Sequence, residues 1–115
     1  MILMNKIVPK QGYVYIAKFN PTSGGIKKTR PCLVIQSNIL NQEISSVMVI
    51  PVSSNNKFNR PGYQIKINET FLQKESYLLT NMVTTLNISR FQKELGKVRK
   101  NTYTQLIENI KLIIG

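Results

Sequence analysis

The chain has 115 residues, 42% of them hydrophobic, which suits a single domain with a modest core. Its sixteen Lys and Arg residues outnumber five acidic residues, all Glu, and give a formal net charge of +11. A field of this sign attracts polyanions: nucleic acid, an acidic protein or a membrane surface. The lack of His and Asp excludes a Ser-His-Asp triad and a histidine acid–base pair. Because the five Glu residues are scattered, we expect any catalysis to be metal-free.

No apolar run approaches the roughly 18 residues that a membrane-spanning helix requires. The first ten residues have neither a long apolar segment nor a small-residue cleavage site, so we expect no signal peptide and a cytoplasmic location. The single cysteine, Cys32, lies within an apolar run and has no histidine to act as its base. We therefore expect it to be a buried, unreactive thiol.

Short segments rich in β-forming residues follow one another along most of the chain. The first alternates between two faces, and the others are apolar or alternating segments of strand length. The predicted strands are 12–19, 32–36, 46–52, 63–68, 76–79 and 82–86. Polar segments at 20–29, 37–45 and 53–62 are predicted to be loops or turns between them. Short strands at this spacing predict a small barrel or sandwich.

The end of the chain changes to a helical pattern. Residues 88–95 predict a short helix, with Asn87 as its N-cap and Gly96 as its stop signal. Residues 102–114 predict an amphipathic helix, because their apolar residues recur with the helical period on one stripe. We expect this stripe to pack on the barrel or on a partner subunit.

Two polar, basic loops bracket the central strands. The first carries Lys27, Lys28, Thr29 and Arg30; the second carries Ser53, Ser54, Asn55, Asn56, Lys57, Phe58 and Arg60. An Arg followed by the rigid Pro31 at the mouth of a strand can offer two parallel hydrogen bonds to a phosphate. Asn side chains can bind base edges, and an aromatic ring offers a stacking face. Composition leaves open whether the loops bind nucleic acid or are solvated turns.

Three blocks, in this order and spacing, resemble the MazF/PemK/Kid family of bacterial toxins. The blocks are GYVYIAKFNPTSGGIKKTRPCLVIQSN, VMVIPVSSNNKFNRPGYQIKI, and SRFQKELGKV followed by the amphipathic helix. The resemblance implies an α+β, β-dominated fold: an SH3-like small barrel of the CcdB/PemK type, with a short helix and a C-terminal amphipathic helix. It also implies one toxin domain spanning residues 1–115.

The function implied by the resemblance is that of a type II toxin–antitoxin toxin. Such a toxin would be a metal-free, sequence-specific endoribonuclease that cleaves single-stranded RNA through a 2′,3′-cyclic phosphate and leaves a 5′-hydroxyl. The resemblance further implies a cytoplasmic homodimer, no cofactor, no bound metal and no membrane contact. Its active groove would be blocked by an acidic antitoxin protein.

The family's paired catalytic residues, an Arg and a Thr or Ser, fall on Arg30 and Ser53. By the resemblance, Arg30 stabilises charge on a phosphorane-like transition state, and Ser53 holds a phosphate oxygen or the 2′-hydroxyl in line. The RNA-binding residues are expected to be Lys27, Lys28, Thr29, Ser54, Asn55, Asn56, Lys57, Phe58, Arg60 and Asn81.

Four residues depart from the family pattern: Tyr13, Met82, Thr84 and Asn87. The last three lie in a segment that would line the RNA groove, so base recognition is expected to differ. Two alternatives stay open on the same fold. One is a CcdB-like gyrase poison, which would not require Arg30 and Ser53 as a pair. The other is a catalytically silent relative that only binds nucleic acid or an antitoxin.

Overall fold

The computed structural model describes residues 7–19, 29–60, 62 and 64–115. The described elements are β1 (Tyr13–Lys18), β2 (Thr29–Val34), α1 (Asn38–Glu43), β3 (Ser46–Ser53), β4 (Ile65–Ile67), β5 (Ser76–Leu78), β6 (Thr84–Asn87), β7 (Phe91–Lys97) and α2 (Lys100–Ile114). Two single-turn 3₁₀ helices cover Asn56–Phe58 and Ile88–Arg90. The β-dominated α+β prediction is confirmed, and each of the six predicted strands overlaps an observed one.

The strands form one curled antiparallel sheet in the order β4-β5-β3-β2-β1-β7, and β6 pairs with the first half of β3. β3 is the longest strand, and its two halves pair with different neighbours on the side away from β2. Its first half pairs with β6 and its end with β5, so the sheet divides there. This division allows the sheet to curl into a half-barrel.

Two hydrophobic clusters cover the two faces of the curled sheet. Residues that alternate along β1 and β2 enter different clusters, as the period of a strand requires. Val14 and Leu33 belong to the first cluster, whereas Tyr15 and Cys32 belong to the second. Leu106 of α2 is fully buried in the first cluster. The middle of the predicted helix stripe therefore packs on the barrel, whereas Ile113 and Ile114 at its end are exposed.

The predicted helix at 88–95 is wrong, since only Ile88–Arg90 is helical and β7 starts at Phe91. Asn87 does act as an N-cap, because its Oδ1 accepts a hydrogen bond from the Ser89 backbone N–H at 2.9 Å. Phe91 is buried beside Tyr15, and β7 pairs with β1. These tertiary contacts override a local pattern that fits a helix.

Gly96 does not stop a helix but lies within β7. A Cβ at this position would stand 2.7 Å from Cγ of Phe71, so the ring occupies the space that any other side chain needs. The glycine therefore allows the segment after β4, which carries Phe71, to approach the sheet closely.

The segment 37–45, predicted as a polar turn, contains α1. The Ser37 Oγ accepts a hydrogen bond from the Leu40 backbone N–H at 3.4 Å, which is an N-cap contact. The prediction is wrong here because the only buried residue of this helix is the polar Asn41, so the apolar stripe that marks most helices is missing. Across the described residues, no helix has the length and apolar character needed to cross a bilayer.

Candidate phosphate and nucleic-acid site

Arg30 and Ser53 lie at neighbouring strand ends. The strands β2 and β3 are antiparallel, with Leu33 opposite Ile50 and Cys32 opposite Pro51. Counting the same register two residues further places Arg30 across from Ser53. Residues directly opposite each other share a face of the sheet, and their Cβ atoms are about 5 Å apart in a regular ladder. The topology thus brings together two residues that are 23 positions apart in the sequence.

Arg30 is held in place by its strand but is incompletely hydrogen-bonded. It pairs with Ala17 of β1, and its side chain is half-buried. The Nε atom is buried and has no hydrogen-bond partner among the residues that the structure describes. A buried donor without a partner is costly, and the cost is larger when the group is charged. An anion bound here would satisfy it.

Ser53 is half-buried and has one local contact. Its Oγ accepts a hydrogen bond from the Asn55 backbone N–H at 3.1 Å. This bond uses a lone pair of the hydroxyl and leaves its proton available to a phosphate oxygen or another acceptor. Ser53 also pairs with Tyr77 of β5, which fixes its backbone from the other side.

The loop after Ser53 is folded by its own asparagines. The Asn55 Oδ1 caps the 3₁₀ turn by accepting from the Lys57 backbone N–H at 3.0 Å. The Asn56 Oδ1 accepts from the Tyr77 hydroxyl at 3.2 Å. Both acceptor oxygens therefore serve the loop, and the amide NH₂ groups are the parts that can reach a ligand.

A cleft of about 460 Å³ lies beside this loop. Its lining residues are Lys57, Phe58, Arg60, Gln64 and Asn81, four of which the sequence predicts as RNA-binding residues. The Lys57 Nζ is 5.1 Å from the centroid of the Phe58 ring. The Asn81 Oδ1 accepts from the Gln64 Nε2 at 3.4 Å. Proteins that bind single-stranded nucleic acid commonly combine cations with aromatic rings, and side-chain amides can form hydrogen bonds with base edges.

Gln64 is the cleft residue that sequence reasoning missed. It precedes β4 and lies within the predicted strand 63–68, so no local signal marks it as a cleft residue. The remaining predicted RNA-binding residues are less closely grouped. Thr29 and Ser54 are exposed at the strand ends, and Lys27 and Lys28 lie outside the described residues.

The four departures from the family pattern have separate places in the fold. Tyr13 lies under two lysines, with Lys10 Nζ 4.2 Å and Lys97 Nζ 5.9 Å from its ring centroid. Met82 packs against the first hydrophobic cluster. Thr84 pairs with Val49 in the sheet, and Asn87 caps the 3₁₀ turn. None of the four lines the cleft around Lys57.

The predicted burial of Cys32 is confirmed, since its side chain is fully buried and forms no disulfide. Burial raises the pKa of the Cys32 thiol to about 12, which keeps it protonated at neutral pH. Burial also raises the pKa of the Tyr15 hydroxyl to about 12, with a smaller contribution from the nearby Glu94. Within the described ranges, no three His, Cys, Asp or Glu side chains come together as a metal-binding group.

Three solved structures share this fold. MazF from Deinococcus radiodurans is 19% identical, with a TM-score of 0.80 over 95% of this chain and 98% of that one. A mycobacterial endoribonuclease in complex with its cognate antitoxin is 17% identical, with a TM-score of 0.78 over 93% and 95%. The Mycobacterium tuberculosis toxin MazF-mt6 is 16% identical, with a TM-score of 0.74 over 89% and 95%.

These likenesses define the class of fold, that of small MazF-type toxins. The family of PemK-like, MazF-like toxins of type II toxin–antitoxin systems matches this sequence over residues 10–114. The chain belongs to this family. No sequence among the curated proteins matches it significantly.

Proposed function

We propose that this chain is the endoribonuclease of a type II toxin–antitoxin pair and cuts single-stranded RNA at specific sequences without a metal ion. The observation that carries the proposal is the pair of Arg30 and Ser53 on adjacent strand ends, with the buried Arg30 Nε unpartnered among the described residues. The family and the endoribonuclease names of structures with the same fold support it.

The proposed reaction is an intramolecular transesterification of the RNA phosphodiester. The ribose 2′-hydroxyl attacks the adjacent phosphorus, the P–O5′ bond breaks, and the products are a 2′,3′-cyclic phosphate and a 5′-hydroxyl. The 2′-oxygen loses its proton to solvent, and the leaving 5′-oxygen gains one. Arg30 stabilises the charge that develops on the non-bridging oxygens, and the Ser53 hydroxyl donates a hydrogen bond to one of them or orients the 2′-hydroxyl.

RNA on either side of the cut is bound by the neighbouring basic surface. Lys57 and Arg60 contact phosphates, Phe58 stacks on a base, and Asn81 binds a base edge. Thr29, Ser54 and the amide groups of Asn55 and Asn56 lie closer to the scissile phosphate. Lys27 and Lys28 are proposed from the sequence alone to add positive charge.

The partners proposed are a second copy of the chain and an acidic antitoxin. An acidic antitoxin complements the net charge of +11 and would compete with RNA for the same surface. We place the protein in the cytoplasm, where its RNA substrate is, and as one toxin domain spanning residues 1–115. The mycobacterial structure with a cognate antitoxin supports the second partner.

The test is cleavage of a long, mixed-sequence single-stranded RNA by the purified protein in EDTA. We expect discrete fragments that end in a 2′,3′-cyclic phosphate, and a loss of about 10²- to 10³-fold in rate for Arg30→Ala. Lys97→Ala is the matched control, since it removes one positive charge at the far end of β1, where Lys97 pairs with Tyr13. Intact RNA from folded wild-type protein, or equal cleavage by Arg30→Ala, would overturn the proposal. RNA that is bound but left whole would favour the silent-binder alternative.

A further inference from the structure

A second cleft, of about 430 Å³, lies on the opposite face of the strand ends that carry Arg30 and Ser53. Its floor includes Ile16 of β1, Pro31 of β2 and Val52 of β3. Ile16 pairs directly with Pro31, and the β2–β3 register counted one residue beyond its last pair places Pro31 opposite Val52. The floor is therefore a row of cross-strand neighbours. This row lies directly next to the row that contains Arg30 and Ser53.

The opposite wall of the cleft is the segment between β4 and β5. Phe71 packs against the backbone of Gly96 and also lines the cleft, so its ring is fixed from behind. Glu69, which is 6% exposed, anchors the segment: it accepts from the Arg99 backbone N–H at 3.3 Å and from its Nε at 3.4 Å. The wall is thus held by contacts at both Glu69 and Phe71.

Three polar side chains stand at the rim without partners of their own. Ser54, Gln73 and Lys74 are exposed, line the cleft, and make no side-chain hydrogen bond or ion pair to another described residue. The combination is an apolar floor, an aromatic wall, a few convergent polar groups and one cation. Sites for small flat ligands have this composition, and bases splayed out of single-stranded RNA bind to such surfaces.

We propose that this cleft, formed around Pro31, Phe71 and Gln73, binds one nucleobase of the RNA next to the scissile phosphate. The inference rests on the proposed ribonuclease function and names a second subsite for the same substrate. Ser53 and Ser54 are consecutive, as are Arg30 and Pro31, and residues along a strand are about 3.3 Å apart. An RNA chain that passes over this edge can thus place a phosphate on one face and the neighbouring base on the other.

Charge favours RNA over an apolar peptide as the occupant. Lys74 is unpaired among the described residues, whereas Lys66 is close to Glu75 at 3.9 Å. The free amine at the rim lies where a phosphate on either side of the bound base would pass. In this arrangement Gln73 and Ser54 are specificity-determining residues, because they can form hydrogen bonds with the edge of the base.

The first test measures binding independently of cleavage. Methyl resonances of Leu72 and Leu95, which both line the cleft, are followed by NMR as 2′-O-methyl RNA oligonucleotides are added. Such RNA has no 2′-hydroxyl nucleophile and stays intact. We expect both resonances to shift with at least one of four homo-oligomers, and Gln73→Trp, which fills the mouth of the cleft, to abolish the shift. No shift with any RNA, or a shift only with an acidic peptide, would overturn the subsite.

The second test uses cleavage of an RNA pool of random sequence. Gln73→Trp is expected to change the preferred base at one position beside the cut and to lower kcat/KM on the best wild-type substrate about 5- to 100-fold. Gln42→Trp is the matched control: it carries the same change on an exposed residue of α1, at the other end of β2 and β3. An unchanged preference would overturn the subsite.

An abasic substrate separates a bound base from a general disturbance. Removing the base at that position should slow the wild type by the same factor as Gln73→Trp, and should not slow Gln73→Trp further. If base removal at every position slows Gln73→Trp by the same factor as it slows the wild type, the two changes act independently and the subsite is overturned. Methyl shifts with 2′-O-methyl RNA, together with no cleavage of unmodified RNA by the wild-type protein, would instead keep the subsite and overturn the ribonuclease function.

Discussion

The two ends of the β2–β3 pair differ in whether their buried polar groups have hydrogen-bond partners. At the end joined by α1, Gln36 and Asn41 are 7% and 5% exposed and bond to each other. At the other end, the buried Arg30 Nε has no partner among the described residues. Buried polar groups that serve only the fold are generally paired within it. The contrast supports the proposal that the Arg30 end binds a ligand.

At the end of the β2–β3 pair that is joined by α1, here called the paired end, Gln36 and Asn41 form a closed network of hydrogen bonds. Gln36 Nε2 donates to Asn41 Oδ1 at 3.0 Å and to the Ser46 carbonyl at 2.8 Å, and its Oε1 accepts from the Met48 backbone N–H at 3.3 Å. Asn41 Nδ2 returns a bond to the Gln36 carbonyl at 3.0 Å. These bonds tie α1 to the start of β3. Disturbing each end should therefore change a different property, stability at one and activity at the other.

The largest effect is expected from Arg30→Lys. A lysine keeps the charge but cannot present the planar fork that binds two phosphate oxygens at once. We expect the cleavage rate to fall about 10²- to 10³-fold, with no loss in the free energy of unfolding measured by urea denaturation. Comparable cleavage by Arg30→Lys and wild type would show that charge alone suffices at this end.

At the paired end, Asn41→Ala should have the opposite effect, which is a loss of stability without a loss of activity. The change leaves Gln36 with unsatisfied buried groups, so we expect the free energy of unfolding to fall by about 2–3 kcal/mol. The specific rate of the folded fraction should stay unchanged. Gln42→Ala, on the next and exposed residue of α1, is the control and should cost less than about 0.5 kcal/mol. Equal losses for the two variants would contradict the network.

Gly96→Ala tests the contact between Gly96 and the Phe71 ring, which holds one wall of the second cleft near the Arg30 end of the strands. The added Cβ meets the Phe71 ring, and overpacking of this kind costs about 1–3 kcal/mol. Gly96 does not have a positive φ, so the backbone itself accepts alanine and the cost comes from the contact. We expect Phe71→Leu to reduce the cost of Gly96→Ala in a double-mutant cycle. Additive losses would show that the contact is not the cause.

The smallest effect is expected at Tyr103, which links α2 to the paired end. Its hydroxyl donates to the Ile35 carbonyl at 3.1 Å, so Tyr103→Phe should cost about 1 kcal/mol. Burial raises the pKa of this hydroxyl above its usual value of 10.0. Its contribution is therefore complete below pH 10 and is lost as the pH rises through the folded-state pKa. Urea denaturation across this range should show a steeper loss for wild type than for Tyr103→Phe, and parallel curves would contradict the assignment.

Much of the fold could be read from residues that act locally. Alternation over 12–19 predicted β1, and the apolar stripe over 102–114 predicted α2. The helix predicted at 88–95 failed because pairing with β1 and the burial of Phe91 outweigh a short helical pattern. The helix α1 was missed because its buried residue is polar. Local patterns are weakest where a long-range contact supplies most of the stabilisation.

The sequence by itself determined the strong positive charge, the absence of His and Asp and the β-rich pattern. Through the family resemblance it also determined that Arg30 and Ser53 are the candidate catalytic pair. Only the tertiary structure decided that these two strand ends adjoin and that Lys57, Phe58, Arg60 and Asn81 share one cleft with Gln64. It alone revealed the second cleft behind them. The physical reason is that register and sheet curvature, which arise from contacts between distant segments, set which side chains meet.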